Sequence, residues 1–592
     1  MRIQLEKEFA ESLAREFPCR NSLLEQLQFG SRVEIDSSQL SFEERAFLIE
    51  RLRAAGGSHA EKLWLLDSVH NVLADDLKPF MADELENLIP AIVRYLAEPM
   101  GRGWLFNIQV TSRPMPYVVT RLDYTPTSND EAGRIYLELK ANAKGSVTTL
   151  TLRIMASEIA GKHVGLILLD KGFIRESPEL ISVYDETLSR YLEWRGSYGE
   201  QFSGRGIGFY ADDPSATHRN TDWSRKDLVI LSSSGTEARL VNDESVLSTR
   251  SLTLDAPGDI LGPYLRKASK SSHYNAEDEV ASLQGELPKG IFTQLPIHPY
   301  VFLYHLDLHH YLWVHADDLR PYAYRPELRN KLVLPKEQTD LIDILTAEMD
   351  LLAEDIVCGK SGGTTVLCAG PPGVGKTLTA EVYAEITRRP LYRVHSGQLG
   401  LNVSGLETAL KDILTRAQRW GAVLLIDEAD VYIKRRDDDI TMNAVVGVFL
   451  RVLEYFNGLL FLTTNRIDDI DEAIVSRCIA LIKFHPPDAA SRCRIWKVMS
   501  DQFSLSLDPR QILILSDAFP QASGRDIKGL AKLVAKYVAH KGVDPDLEVF
   551  RRCAVFRGMD LGQSLTSDAD LASRILLSEQ IESPTEESEV GC

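Results

Sequence analysis

Hydrophobic positions divide the chain into stretches of different period. Leu5, Phe9, Leu13 and Phe17 recur every four residues, the repeat that lines one face of an α-helix. Pro18 follows and ends that helix, because it lacks the amide and clashes with the preceding turn. Ser41 with Glu44 and Ser58 with Glu61 have capping-box spacing, so each pair predicts a helix start. Between about 104 and 155 the period falls to two. Ile135, Leu137 and Leu139 alternate with polar residues, and Ser146–Ile154 is rich in Thr, Val and Leu, which predicts strands. Residues 211–226 are polar and turn-rich and predict a loop, and 266–279 predict a flexible link. From about 341 onward, short apolar runs alternate with helix-compatible segments, the signature of an α/β fold with a parallel sheet between helices. No repeat recurs along the chain, and no apolar run approaches the 18 or so residues of a membrane helix. Met1–Glu8 lacks the apolar core of a signal peptide.

Composition narrows the class. The 592 residues carry a net charge of −19, which argues against a general binder of nucleic acid or anionic membrane and leaves room for a local basic patch. The seven cysteines are scattered and never form a CxxC, so thiols in a reducing cytoplasm are expected rather than a disulfide framework or zinc knuckle. The segment after about 579 is acidic and free of aromatics, and disorder is expected there.

The clearest chemistry lies after residue 363. Thr364–Ala369 is an apolar run suited to a buried strand, and Gly370-Pro371-Pro372-Gly373-Val374-Gly375-Lys376-Thr377 follows it, ahead of the helix-compatible stretch 378–385. The pattern GxxxxGK[ST] has a chance expectation of only roughly 0.02 in a chain of this size. Its order has a physical reason. Glycines let the backbone curl until its amides point at phosphate oxygens, and the helix start adds a positive dipole end. Lys376 would then reach the β- and γ-phosphates and the Thr377 hydroxyl would ligate Mg²⁺. Gly204-Arg-Gly-Ile-Gly208 misses the dinucleotide spacing and predicts a turn.

A second buried strand, Ala422–Ile426, ends in Asp427-Glu428. An aspartate at a strand tip can hold Mg²⁺, and the adjacent glutamate can polarise an attacking water. The letters Asp427-Glu-Ala-Asp430 do not make a helicase, since the Ser-Ala-Thr element and second domain of that class are missing. An apolar run, 459–464, ends instead in Asn465.

Together GPPGVGKT, LLIDEAD and FLTTNRIDDIDEAIVSR resemble the AAA branch of the AAA+ ATPases over about residues 345–545. Residues from about 290 further resemble single-module AAA proteins of filamentous fungi and some bacteria. The resemblance implies a P-loop AAA+ module of parallel sheet between helices, a small helical lid, ATP and Mg²⁺ as cofactors, and a homo-oligomeric ring, a hexamer. It implies that Asn465 is the polar sensor at the γ-phosphate. Arg477 would be an arginine finger acting on a neighbouring subunit, and Arg525 a lid residue at the phosphates. Ile356 and Val357 would flank adenine, and Leu378 would complete the nucleotide contacts of residues 370–377. Metal ligands would be Thr377 and Asp427, with Glu428 as the water-polarising base.

Two departures qualify the family pattern. The loop after Pro390–Val394 has no aromatic between Tyr392 and Trp420, so continuous threading of a polypeptide lacks its usual grip near Asn402-Val403-Ser404. Ser476-Arg477-Cys478 carries a single arginine, as in DNA clamp loaders, whereas Thr464-Asn465-Arg466 and Asp471-Glu-Ala fit the AAA pattern. Five histidines (His298, His305, His309, His310, His315) cluster within 18 residues. The β-rich segments Pro299–Tyr304 and Tyr311–Val314 make two strands and a turn the simpler reading than a metal site. Arg435-Arg436 beside Asp437–Asp439 reads as a solvated loop.

The organisation expected is a helical region at 1–100, a mixed α/β region at 101–280, and a β-rich connection at 281–340. An α/β nucleotide-binding subdomain follows at 341–485, with a helical lid at 486–550 and an acidic tail at 551–592. Three functions fit. One is an ATP-driven ring that remodels a protein partner, another an ATP-gated assembly switch or scaffold, and the third a clamp-loader-like ATPase acting with nucleic acid.

Overall fold

Five apolar segments from the second half of the chain assemble into one parallel sheet. Their spatial order is Leu391–His395, Val423–Asp427, Leu459–Thr464, Thr364–Ala369 and Ala480–Lys483. The computed structural model describes residues 2–27, 32–56, 60–75, 77–97, 101–108, 113–128, 131–213, 228–233, 236–247, 259–268, 277–347, 363–399, 403–436 and 440–559. Successive residues of a strand face opposite ways, and here both faces are covered. Val366, Cys368, Val423, Leu425 and Phe461 pack with Ala380 and Tyr383 of helix Lys376–Ile386. Leu367, Leu424, Ile426, Leu460 and Leu462 point the other way, toward Leu406 and Leu410 of helix Val403–Arg419 and Phe449 of helix Ile440–Leu453. Each such side chain contributes about 1.5–3 kcal/mol by leaving water, so apolar layers hold the sheet. The polar residues collect at the carboxyl ends of its strands.

Four helices, Ala489–Phe503, Pro509–Ala518, Gly524–Lys541 and Leu547–Val555, follow the sheet and close on a core of their own around Trp496, Leu530 and Phe550. Asp488, Asp508, Ser523 and Asp546 cap their starts, each accepting a backbone N–H that the helix leaves unpaired. The last helix runs beyond residue 550, and the tail after 559 lies outside the described residues.

The region before residue 340 contains more sheet than its periodicity suggests. Arg2–Glu6 is a strand, antiparallel to Arg32–Asp36, and the first helix starts only at Lys7 and ends at Glu16. Leu5 therefore leaves the helical face predicted for it, and Phe17 sits in extended backbone at the C-cap. A strand partner decided this. Ile3 and Leu5 alternate into the same core that Phe9 and Leu13 enter from the helix, so a period of two passes into one of four without a break in burial. The capping box at Ser41 is present: Glu44 N–H donates to Ser41 Oγ at 3.1 Å and Ser41 N–H to Glu44 Oε2 at 2.7 Å. Ser58 lies outside the described residues. Of the link 266–279, both ends belong to helices, Gly262–Ala268 and Glu277–Glu286, and 269–276 lie outside the described residues. The loop at 211–226 is described only to residue 213, after strand Ile207–Ala211.

Two antiparallel sheets organise residues 104–321. One has five strands in the order Ser146–Met155, Arg134–Ala143, Met115–Thr125, Trp104–Asn107 and Phe173–Arg175. The other has eight and joins strands from 201–242 to the hairpin Tyr300–His305/His310–His315 and to Leu319–Pro321. Segment 281–340 thus supplies strands to the same sheet as 201–242. The histidine-rich stretch is two strands and a turn, with His305 opposite His310 and His309 turning the chain at φ +57°.

This second sheet is fastened directly to the parallel one. Tyr304 Oη and Tyr392 Oη are 3.1 Å apart, and Arg416 Nη1 donates to both at 3.2 and 3.3 Å. Trp420 packs against both rings, at 4.9 and 5.3 Å between centroids. Arg419 donates through Nε and Nη2 to the fully buried Asp243, whose Oδ2 also accepts Tyr311 O–H at 2.8 Å. Arg419→Ala strands the Asp243 carboxylate, a loss of about 3–5 kcal/mol. Calorimetry should record an unfolding transition several degrees lower, and Arg419→Met with Asp243→Leu should recover most of it.

Candidate functional site

The loop Gly370–Gly375 joins strand Thr364–Ala369 to helix Lys376–Ile386, and two glycines there are dictated by space. A Cβ on Gly370 would stand 2.5 Å from the carbonyl oxygen of Phe484, and one on Gly373, at φ +85°, would stand 2.7 Å from Ser523 Oγ. Gly375, at φ +106°, caps the helix. The result is a curled backbone ending in a helix N-terminus, where free amides and the dipole favour an anion such as a phosphate.

Lys376 is buried under this loop. Its Nζ donates to Gly370 O at 2.8 Å, Pro371 O at 2.7 Å and Asn465 Oδ1 at 2.9 Å, so all three ammonium hydrogens are directed. Burial holds its pKa below the usual lysine value, with Arg525 adding to the effect against the opposing pull of Asp427 and Asp430. Asn465 follows strand Leu459–Thr464, and its N–H donates to Asp430 Oδ1 at 3.1 Å. The second aspartate of Asp427-Glu-Ala-Asp430 therefore orients Asn465; Thr464 O–H donates to the same oxygen.

Asp427 ends its strand buried, with both oxygens engaged. Oδ1 accepts from Thr463 Oγ1 at 2.6 Å and Thr377 Oγ1 at 2.9 Å, and Oδ2 accepts from Arg393 Nη2 at 2.6 Å. Burial pushes its pKa up, but the two hydroxyls and the Arg393 charge outweigh burial and hold it below the usual carboxylate value. A hydroxyl and a carboxylate oxygen are hard donors of the kind Mg²⁺ takes, so Thr377 and Asp427 fit that ion. Glu428 is exposed at φ +55°, a left-handed conformation costly for a residue with a Cβ. Its N–H donates to Thr463 Oγ1 at 3.0 Å and the next amide, Ala429, to Thr463 O at 2.9 Å, which holds the turn.

The remaining candidates divide. Arg525 opens the lid helix Gly524–Lys541, and its N–H donates to Gly373 O at 3.2 Å, so the lid touches the loop by backbone. Leu378 is exposed in the first turn of the loop's helix. Arg477 lies on the surface after the short helix Glu472–Val475, donating to Ala473 O at 3.2 Å and standing 3.6 Å from Glu454. Ile356, Val357 and Asn402, like Asp437–Asp439, lie outside the described residues. Within one chain the structure thus gathers Lys376, Thr377, Asp427, Glu428, Asn465 and the backbone of Arg525 around the loop, and sets Arg477 apart.

Three residues of the site escaped the sequence reading. Thr463 bonds both Asp427 and the Glu428 amide, Ser523 packs against Gly373, and Arg393 pairs with Asp427. Only Arg393 left a signal, a charge in the middle of the apolar run Leu391–His395. The histidine cluster belongs to the N-terminal sheet. His298 is fully enclosed, its Nε2 is 2.9 Å from Pro116 O, and burial lowers its pKa to about 4. Among the described residues no group of three or more His, Cys, Asp or Glu is arranged to hold a metal, and no helix is long and apolar enough to cross a membrane.

Residues 366–486 match the family model described as "ATPase family associated with various cellular activities (AAA)". The chain is 31% identical over 221 residues to the peroxisomal ATPase PEX1 of Homo sapiens, covering 35% of this chain and 16% of that protein. It is 30% identical over 188 residues to the AAA family ATPase y4kL of Sinorhizobium fredii, covering 31% and 57%. It is 28% identical over 191 residues to the proteasome-activating nucleotidase of Methanococcus vannielii, covering 30% and 46%. The chain therefore spans from about a sixth to somewhat over half of the length of these relatives.

Thr463→Val removes the hydroxyl shared by Asp427 and Glu428, a loss of about 1–3 kcal/mol from buried groups left unpaired. Asp427 has a depressed folded-state pKa, so its contribution to stability is present above the unfolded value and is lost as pH falls through the folded one. The variant loses part of that contribution. In thermal unfolding, the gap between native protein and Thr463→Val should be full near pH 7 and narrow as the pH drops below about 4.

Proposed function

We propose that this chain, whose residues 366–486 are an AAA module, is an ATP hydrolase that works as a homo-oligomeric ring, a hexamer, and remodels a protein partner. The observation that carries this reading is the linkage of Lys376, Thr377, Asp427 and Asn465 by hydrogen bonds at the carboxyl ends of three neighbouring strands, under a loop whose Gly370 and Gly373 leave no room for a Cβ.

The chemistry follows from those positions. Loop amides and Lys376 hold the phosphates of ATP, with Leu378 beside them; Ile356 and Val357, which lie outside the described residues, are the residues assigned to the adenine on sequence alone. Thr377 and Asp427 would hold Mg²⁺, which when bound would neutralise phosphate charge. Glu428, exposed beside Asp427, orients and polarises water toward the γ-phosphate, and Asn465 fixes its line of approach. Arg525 brings a lid charge to the same region. Arg477, on the surface and held by a 3.2 Å hydrogen bond to Ala473 O and a 3.6 Å ion pair to Glu454, would turn from these contacts to serve a neighbouring subunit. An arginine supplied in trans contributes about 10³–10⁵ in rate.

Support for a protein partner comes from the relatives, one named as a proteasome-activating nucleotidase, and from the large N-terminal sheets joined to the module. The net charge of −19 weighs against the clamp-loader alternative and for a soluble protein, and the scattered cysteines without a CxxC suit a cytoplasmic setting. Residues 396–402 include no aromatic, and this favours a second reading, in which nucleotide gates assembly without threading.

Glu428→Gln should retain ATP and lower turnover by at least about 10², read by steady-state phosphate release beside nucleotide binding. Arg477→Ala should bind ATP normally and turn over at least about 10³ more slowly. Mixing it with Lys376→Ala should restore activity above either alone, because one variant keeps an intact cradle and the other an intact finger. Native-rate hydrolysis by isolated Arg477→Ala would remove that residue from the mechanism.

A further inference from the structure

Arg393 has no reason to be in its strand on packing grounds. It sits between Tyr392 and Val394, both buried, in a run that is otherwise apolar until His395. Its guanidinium reaches along the sheet. Arg393 is in register with Leu425, so Asp427 is its same-face diagonal neighbour on the next strand. Nη2 donates to Asp427 Oδ2 at 2.6 Å, and Nη1 lies 3.5 Å from Glu381 Oε1, on the helix that Lys376 begins. Nε is buried and has no hydrogen-bond partner among the described residues. The guanidinium is therefore placed between two carboxylates, closely bonded to one, loosely to the other, and left with one donor unused. A fork with an unsatisfied buried donor has a hydrogen bond to gain from a different pose.

Asp427 is also the carboxylate assigned to the metal, and this inference rests on that assignment. Thr463 and Thr377 already engage Oδ1, so the oxygen that Arg393 occupies is the one left for a cation. Two positive charges competing for one carboxylate repel each other, and each weakens the other's hold. Glu381 offers the arginine somewhere to go. Burial raises the Glu381 pKa and the nearby Arg393 charge opposes that rise, so closer approach of the guanidinium favours its ionised form.

We propose that Arg393 is a built-in competitor of the divalent ion, exchanging between Asp427 and Glu381, so that it sets the metal concentration at which the nucleotide site becomes competent. The arginine acts through Asp427 and is a positioning residue. Its effect falls on the metal requirement and not on the affinity of the loop for phosphate.

The test is a Mn²⁺ titration of the full chain with a non-hydrolysable ATP analogue, reading free Mn²⁺ by electron paramagnetic resonance and bound analogue by fluorescence. Arg393→Ser should lower the half-saturating Mn²⁺ about tenfold. Glu381→Gln, which removes the second carboxylate, should raise it severalfold. An unchanged or higher requirement in Arg393→Ser overturns the proposal while leaving the nucleotide site standing. Should Arg393→Ser fail to fold by circular dichroism, Glu381→Gln decides, and an unchanged requirement there overturns it. If the native chain binds no analogue with or without Mn²⁺, the nucleotide-site reading falls and this inference falls with it.

Discussion

A carboxylate placed inside a protein must be met by donors or it will not stay charged. Asp427 satisfies this condition with one hydroxyl from the helix after the phosphate loop, one from the strand beside it and one guanidinium from the strand on its other side. Those bonds fix the spacing of three strand ends. Once they are fixed, Thr463 sets the Glu428 turn, Asp430 sets Asn465, and Asn465 meets Lys376. The polar site is thus a chain of bonds spreading from a single buried charge, while the apolar faces beneath it determine only that the sheet exists.

What could be read in advance follows from this division. Short apolar runs and the glycine spacing announce the sheet and loop, because burial on two faces and curled backbone each demand particular residue types in consecutive positions. Lys376, Thr377, Asp427 and Glu428 were legible for the same reason. Thr463 was not, since a threonine in a strand is ordinary β sequence and its role arises only from a neighbour 36 residues away. Arg393 was visible as an anomaly without a meaning until its partner was known. In the N-terminal region, four-residue spacing at Leu5 was overridden by a strand partner at Leu5↔Val33. Antiparallel pairings such as Leu240↔His305 join segments about sixty residues apart and leave no local trace.

The two covers of the parallel sheet differ in how firmly they attach. The N-terminal sheet shares a hydrophobic core with one face and adds Arg416, Arg419 and the tyrosine cluster. The lid has a separate core and reaches the loop through the Arg525–Gly373 backbone bond and the packing of Ser523. A loosely held cap beside a firmly held base is an arrangement in which the cap can change its angle while the base keeps its shape.

The strand Leu391–His395 has one further consequence. Tyr392 turns its ring toward the N-terminal tyrosines, and the next residue, Arg393, turns toward Asp427. Adjacent side chains on a strand point to opposite faces, so one short rod carries a handle on either side. A load on the N-terminal sheet would therefore reach, through one strand, the guanidinium that is bonded to Asp427. Only the one peptide bond between Tyr392 and Arg393 separates the two contacts.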